Sequence, residues 1–244
     1  MKTDSIQTYE KFEKYYWWWV GRRFVIEKML KKYFNKKNMQ ILDWGCGPGG
    51  NFLMLKKYGK VLGVDSSPEA VKLCQKKGIN ILHARTLDSL KTNKRFDLIT
   101  NFDVLEHIAQ DKKYLKNLQR ILKSNGCVMV TVPAYKFLWS GLDKVLGHKR
   151  RYSLNELTLT FEESGYRVIK ASYFICFISP FFILYRFFEE TFKKNAKKSL
   201  KSSTLEFPKP INWFLTKLVY LEGYLMQYIN LPFGTSIFLL ATVK

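Results

Sequence analysis

Residues 42–50 read LDWGCGPGG; they follow the apolar run MQILDW (39–44) and open a helical stretch from about 49 to 58. Gly45, Gly47 and Gly50 complete a G-x-G-x-x-G spacing, and Asp65 lies twenty residues beyond Gly45. That spacing turns a strand tightly into a helix and lets bare backbone approach a nucleotide cofactor, with the later acid meeting its ribose. Taken alone it fits a nicotinamide cofactor and other nucleoside cofactors equally.

Asp43 separates them. At the end of a strand and aimed at the loop, its carboxylate would repel a pyrophosphate. S-adenosylmethionine has no phosphate; it carries an ammonium and a sulfonium, which a carboxylate favours. Asp65, ending the second strand, would accept hydrogen bonds from both ribose hydroxyls.

Outward from the loop the chain alternates strands and helices. KVLGVD (60–65), INILH (79–83), RFDLITNF (95–102), CVMVTVP (127–133) and YRVIKASYF (166–174) read as strands. Between them, SPEAVKLCQKKG (67–78) carries a Ser67–Pro68–Glu69 start and a glycine end, 111–123 reads as a helix, and so does SLNELTLTFEESG (153–165). This alternation specifies an α/β fold with a doubly wound sheet. SIFLLATV (236–243) is a final strand, so 175–235 reads as an apolar, partly helical insertion before it. The chain divides into an N-terminal helical cap (1–38), a cofactor-binding core (39–174), the insertion (175–235) and the closing strand (236–244).

The chain has 244 residues, 41 Lys plus Arg against 20 Asp plus Glu, and a formal net charge of +21. That excess attracts an anionic partner: nucleic acid, an acidic membrane surface or a phosphorylated substrate. A hydrophobic content of 47% argues against wholesale disorder. Cys46, Cys74, Cys127 and Cys176 are far apart and form no CxxC pair. No disulfide framework or zinc site follows, no metal is expected, and a reduced compartment is the simplest reading. The start, MKTDSIQTYEKFEK, has no apolar core and is not a secretory signal, which points to the cytoplasm.

ILDWGCGPGGNF, VLGVDSSPEAV and FDLITNFDVLEHI, in this order, resemble the class I S-adenosylmethionine-dependent methyltransferases over about 39–172. The resemblance implies a Rossmann-like, seven-stranded sheet whose last strand is antiparallel. It places Asp43, Gly45, Cys46, Gly47 and Gly49 around the methionine part of the cofactor, Asp65 and Ser66 at the ribose, and Asn101 near the methyl. Relatives often show Gly-Asp-Ala after the third strand, with the Asp at the adenine; here the stretch is HARTLDSL, and Arg85 or Thr86 holds that place. WWWVGRR, VPAYKFLWSGLDKVLGHKRRYSLNEL and LPFGTSIFLLATVK look like one subgroup, whose members commonly occur with lipid-linked sugar or isoprenoid metabolism.

Methyl transfer needs positioning, and a base where the acceptor is a hydroxyl. His107 in DVLEHI follows the fourth strand and His148 in GHKRRY follows the fifth, both on the carboxyl edge of the sheet where such folds bind ligands. They are the candidate catalytic residues. Glu106, Arg150, Arg151 and Tyr152 beside them are candidates for the acceptor, the paired arginines suiting a phosphate or carboxylate. The stretch NFDVLEH lacks the [Asn/Asp]-Pro-Pro-aromatic motif of enzymes that methylate base amino groups, which argues against methylation of a nucleic-acid base nitrogen and leaves O- or C-methylation of RNA open; nucleic acid is not the acceptor expected.

YYWWWVGRR (15–23) belongs to a helix or helix-turn over 10–34 lying across the cofactor mouth. Consecutive helical side chains point about 100° apart, so Trp17, Trp18 and Trp19 are not expected to share one pocket; one or two should cover the active site and the other pack on the insertion or reach the membrane interface. Trp18, with Arg22 and Arg23, is assigned to an anionic acceptor. The insertion pairs FFILYRFF (181–188) with Lys193, Lys194, Lys197 and Lys198. That pairing suits peripheral contact with an anionic membrane, a substrate lid or a dimer surface; no run spans a bilayer. The function expected is methyl transfer to a small or lipid-linked acceptor at the cytoplasmic membrane face. An RNA or protein methyltransferase and a non-catalytic cofactor-binding module are the alternatives.

Overall fold

The computed structural model describes residues 3–35, 37–184 and 207–244. Seven strands form one sheet in the order β3-β2-β1-β4-β5-β7-β6. They are β1 Met39–Trp44, β2 Gly59–Asp65, β3 Ile81–His83, β4 Phe96–Phe102, β5 Leu122–Pro133, β6 Tyr166–Phe174 and β7 Ser236–Val243. β1 to β5 pair in parallel, while β7 runs antiparallel to both β5 and β6.

Both faces of the sheet are covered, which is why its central strands are mostly apolar on both sides. Ile41, Leu98, Met129, Phe238 and Leu240 face one core; their neighbours Leu42, Ile99, Val130, Ile237 and Leu239 face the other. The first core lies under α1 (Thr3–Tyr15), α2 (Trp17–Tyr33), α3 (Phe52–Lys56) and, past the insertion, α8 (Lys209–Leu225). The second lies under α5 (Asp111–Leu118) and α7 (Leu154–Glu163). Two further helices among the described residues are α4 (Pro68–Lys76), whose N-cap Ser67 accepts from the Ala70 N–H, and α6 (Gly141–Leu146), which a Ser140/Asp143 capping box starts.

The N-terminal region is two helices, broken at Tyr16 by an extended backbone (φ −74°, ψ 131°). The helix after the glycine loop is shorter than its sequence suggests, because three left-handed glycines precede it and leave only Phe52–Lys56 helical. α5 also ends early, and β5 takes in 122–126.

α2 and α8 pack closely through two glycines. A Cβ on Gly21 would sit 2.7 Å from Val219 Cγ1, and one on Gly223 would sit 3.0 Å from Phe24 Cδ1. Glu222, fully buried on α8, accepts from the Phe177 N–H at 2.8 Å and so anchors the chain leaving β6. No helix among the described residues is long and apolar enough to cross a membrane. Lys193, Lys194, Lys197, Lys198 and residues 185–188 lie outside the described residues.

Candidate active site

Strand order reverses between β1 and β4, and a cavity of about 1770 Å³ opens at the carboxyl ends of these strands, where open α/β sheets hold their ligands. Gly45, Cys46, Gly47, Asp65 and Ser66 line one end, with Arg85 and Thr86 beside them. Glu106, His107, His148 and Arg151 line the other.

The loop end is held by backbone. Gly45 N–H and Cys46 N–H both donate to the Val64 carbonyl, at 2.7 and 3.1 Å. Asp65 accepts from Gly47 N–H and from Ser67 N–H, each at 2.8 Å, which fixes its carboxylate toward the cavity. Gly47 has φ +54°, and nothing lies within 4 Å of where its Cβ would be, so the loop presents open backbone. The thiols of Cys46 and Cys74 lie against the Gly47 carbonyl beneath it.

Asp43 and Asn101 sit under this end instead of lining it. Asp43 is 2% exposed; one oxygen accepts from Thr100 Oγ1 at 2.7 Å, the other has no hydrogen-bond partner. Burial pushes its carboxyl up to about 6, against the Thr100 bond and the Arg22 charge. Asn101 Oδ1 accepts from the Tyr114 hydroxyl, and its Nδ2 is unsatisfied. A buried acceptor and a buried donor without partners, beside an open glycine cradle, suit a ligand that brings an ammonium and a carboxylate.

At the far end two segments converge. Glu106 and His107 stand on a 3₁₀ turn after β4, and His148 follows α6. The Lys149 N–H donates to the Glu106 carbonyl at 2.7 Å and ties them together. The rings of His107 and His148 meet edge to face, 4.8 Å between centroids. Asp143 orients His148 through Nδ1, at 2.8 Å, and is itself gripped by Arg151 Nε at 2.7 Å. Burial opposes its charge, but these bonds hold the Asp143 carboxyl well below the usual range. Glu106 has no exposure and no hydrogen-bond partner at either oxygen, and burial raises its carboxyl to about 8. Burial and the neighbouring His148 push His107 down to about 4.

The wall between the two ends is aromatic. Trp17, Trp18 and Trp19 all line the cavity, contrary to the fan expected of a helix, because they form the first turn of α2 and the cavity wraps round that helix end. Trp17 stacks on Phe182 from the insertion, Trp19 on Phe12 of α1, and Trp18 lies under the Arg22 guanidinium.

Three residues assigned to the acceptor face elsewhere. Arg150 donates to Asp111 Oδ2 and the Ala109 carbonyl, both at 2.6 Å, and Tyr152 donates to the same Asp111 oxygen at 2.8 Å. Arg23 donates to the carbonyls of Gly50 and Glu13, joining α1 to the glycine loop. The buried Asp111 claims Arg150 and Tyr152, and backbone carbonyls claim Arg23, before a ligand could. Gly49, at φ +86°, also stays out of the lining and packs toward Ile79. Asp103, Asp143 and Tyr9 escaped the sequence reading; only Asp143 had a signal there, as the fourth residue of the capping stretch SGLD.

A family model described as a methyltransferase domain matches residues 20–171. A ubiquinone biosynthesis O-methyltransferase of Rickettsia prowazekii is 29% identical over 152 residues, covering 54% of this chain and 60% of that protein. A probable S-adenosylmethionine-dependent methyltransferase of Mycobacterium tuberculosis is 24% identical over 61% of this chain and 56% of its own length. The chain thus spans about three-fifths of the curated relatives it matches. Among solved structures, an S-adenosylmethionine-dependent methyltransferase from Archaeoglobus fulgidus superposes with a TM-score of 0.56 at 20% identity, over 96% of this chain and 99% of its own. A Haloferax volcanii methyltransferase solved with the Trm112 activator gives 0.62 at 16% identity, over 98% and 94%. The family match takes in the glycine loop, Asp65 and the Glu106–His107 turn together, so this chain belongs to the methyltransferase-domain family, among the class I enzymes whose cofactor is S-adenosylmethionine.

Proposed function

We propose that this chain methylates an oxygen of a small or lipid-linked acceptor, working at an anionic membrane face. One observation carries the reading: the glycine-loop end and the His107–His148 end belong to a single cavity whose wall is aromatic. S-adenosylmethionine supplies a methyl carbon made electrophilic by its positive sulfur. Asp65 takes the ribose hydroxyls, Gly45 and Gly47 give way to the methionine part, and Asp43 and Asn101 meet its charged end from below. Arg85 and Thr86 stand at the adenine. His107 and His148 stand where the acceptor's reacting oxygen enters, with Asp143 fixing the His148 ring. The tryptophans exclude water and hold an apolar acceptor body. The similarity to O-methyltransferases of ubiquinone biosynthesis supports oxygen as the methylated atom.

The membrane part of the reading rests on the outer face of the insertion. Phe181, Trp213, Phe214, Tyr224 and Tyr228 are between 50% and 85% exposed. Lys217 lies over the Trp213 ring at 5.5 Å and Lys28 over Tyr224 at 4.0 Å. Rings with lysines beside them suit the headgroup layer of anionic lipid.

Labelled cofactor incubated with protein and a membrane lipid extract should yield a labelled product by mass spectrometry. A product from RNA or protein instead would move the acceptor to those classes, and cofactor binding without any product would leave a binding module. In flotation, anionic vesicles should carry the protein upward, less so in salt; protein that stays at the bottom at low salt defeats the membrane reading.

A further inference from the structure

Glu106 is the anomaly of the cavity. A carboxylate with no exposure and two unpartnered oxygens is costly. The Arg22 guanidinium nearby is engaged by Asp103. What surrounds Glu106 is a set of donors. His148 offers Nε2, 4.0 Å from Glu106 Oε1, because its Nδ1 is held by Asp143. His107 offers its own Nε2, because its Nδ1 faces the Gly147 carbonyl at 3.4 Å. One donor atom from each of the three lies within 4.8 Å of the others.

We propose that Glu106, His107 and His148 bind a divalent first-row metal ion, whose remaining positions face the cavity and take an acceptor oxygen. Two imidazoles and one carboxylate on one side of an ion are a known donor set for such metals. Ligand bonds of about 2.1 Å put donors roughly 3 to 4 Å apart around one ion, so a small closure of the side chains completes the site. The Asp143–His148 bond is the carboxylate–histidine arrangement that orients a metal-binding ring, and the Gly147 carbonyl plays that part for His107. The sequence conceals the set, because two ligands are adjacent and the third is forty-one residues later. The site itself stands on this geometry; its use on an acceptor oxygen rests on the methyl-transfer reading above.

The test is calorimetric titration of the full chain, freed of metal by chelator, with Mn²⁺ and with Zn²⁺, followed by Co²⁺ absorption. One saturating ion per chain is expected, with Co²⁺ bands of nitrogen and oxygen coordination. Glu106→Gln and His107→Asn should each weaken binding by about tenfold or more, by analogy with the loss on removing supporting partners of metal ligands. Circular dichroism and S-adenosylmethionine titration on the same samples establish that the variants are folded. Absence of saturable binding of all three ions to folded protein overturns the proposal, as does equal binding by the native chain and both variants. If the cofactor binds and the metals do not, the metal site alone fails. If the metals bind and the cofactor does not, the methyl-transfer reading alone fails.

Discussion

Arg22 on α2 donates to Asp103, which follows β4 with a left-handed backbone (φ 56°). The pair joins the N-terminal cap to the reversal point of the sheet, directly over the cavity. Burial pushes the Arg22 guanidinium down to about 10, so it stays charged at neutral pH. Arg22→Leu should destabilise the fold by about 2 kcal/mol, below the range for a fully buried pair because the Asp103 carboxylate keeps some water. Adding Asp103→Leu should cost less than the sum of the single changes, since it removes the stranded charge. Urea unfolding of the four proteins checks this.

Gly21→Ala should destabilise through overpacking. Its methyl would meet Val219, which is fully buried and cannot turn away. An overpacked core costs about 1–3 kcal/mol, more than the roughly 1 kcal/mol that alanine adds in helix propensity. Val219→Ala in the same chain should restore most of the loss, as read by thermal unfolding.

Asp43 gives a pH dependence of definite sign. Its folded carboxyl titrates near 6 against an ordinary 3.8. Between those values the native state binds the extra proton, so stability falls as pH rises through the window and levels above about 6. Asp43→Asn should remove this part of the slope, visible as the difference between native and variant unfolding midpoints from pH 4 to pH 7. The same variant should bind S-adenosylmethionine more weakly at pH 7.

Asn212 of α8 bridges the break between α1 and α2. Its Oδ1 accepts from the Trp17 N–H at 2.9 Å, and its Nδ2 donates to the Tyr15 carbonyl at 2.8 Å. Asn212→Ala removes both contacts and should cost about 1–3 kcal/mol, concentrated in α1. Hydrogen exchange should then accelerate in α1 and not in β4 or β5.

The sheet was legible because both its faces are buried. Uncharged, largely apolar runs such as LITNF and FLLATV have no other use in a chain this charged, and β6 and β7 are bounded where the runs end. The glycine loop was legible because glycine spacing and strand-end acids are local facts. The far end of the cavity was legible only in part. His107 and His148 announce themselves by residue type, but their orientation depends on Asp143, Gly147 and the Lys149–Glu106 backbone bond. Arg150 and Tyr152 were misassigned to the acceptor because nothing local reveals Asp111, thirty-nine residues from Arg150, as their partner. The tryptophans were misjudged because helical periodicity describes a helix's sides and says nothing of a cavity folded round its end.

Those tryptophans make the protein its own optical probe. Four of its six, Trp17, Trp18, Trp19 and Trp44, border the same cavity, so most of the indole emission originates within reach of whatever enters it. Cofactor or acceptor arrival should therefore change the intrinsic fluorescence without any label, and stopped-flow mixing would time each arrival separately. Removing the ring at Trp18, which carries the Arg22 guanidinium on its face, would show how much of that signal comes from the acceptor side of the chamber.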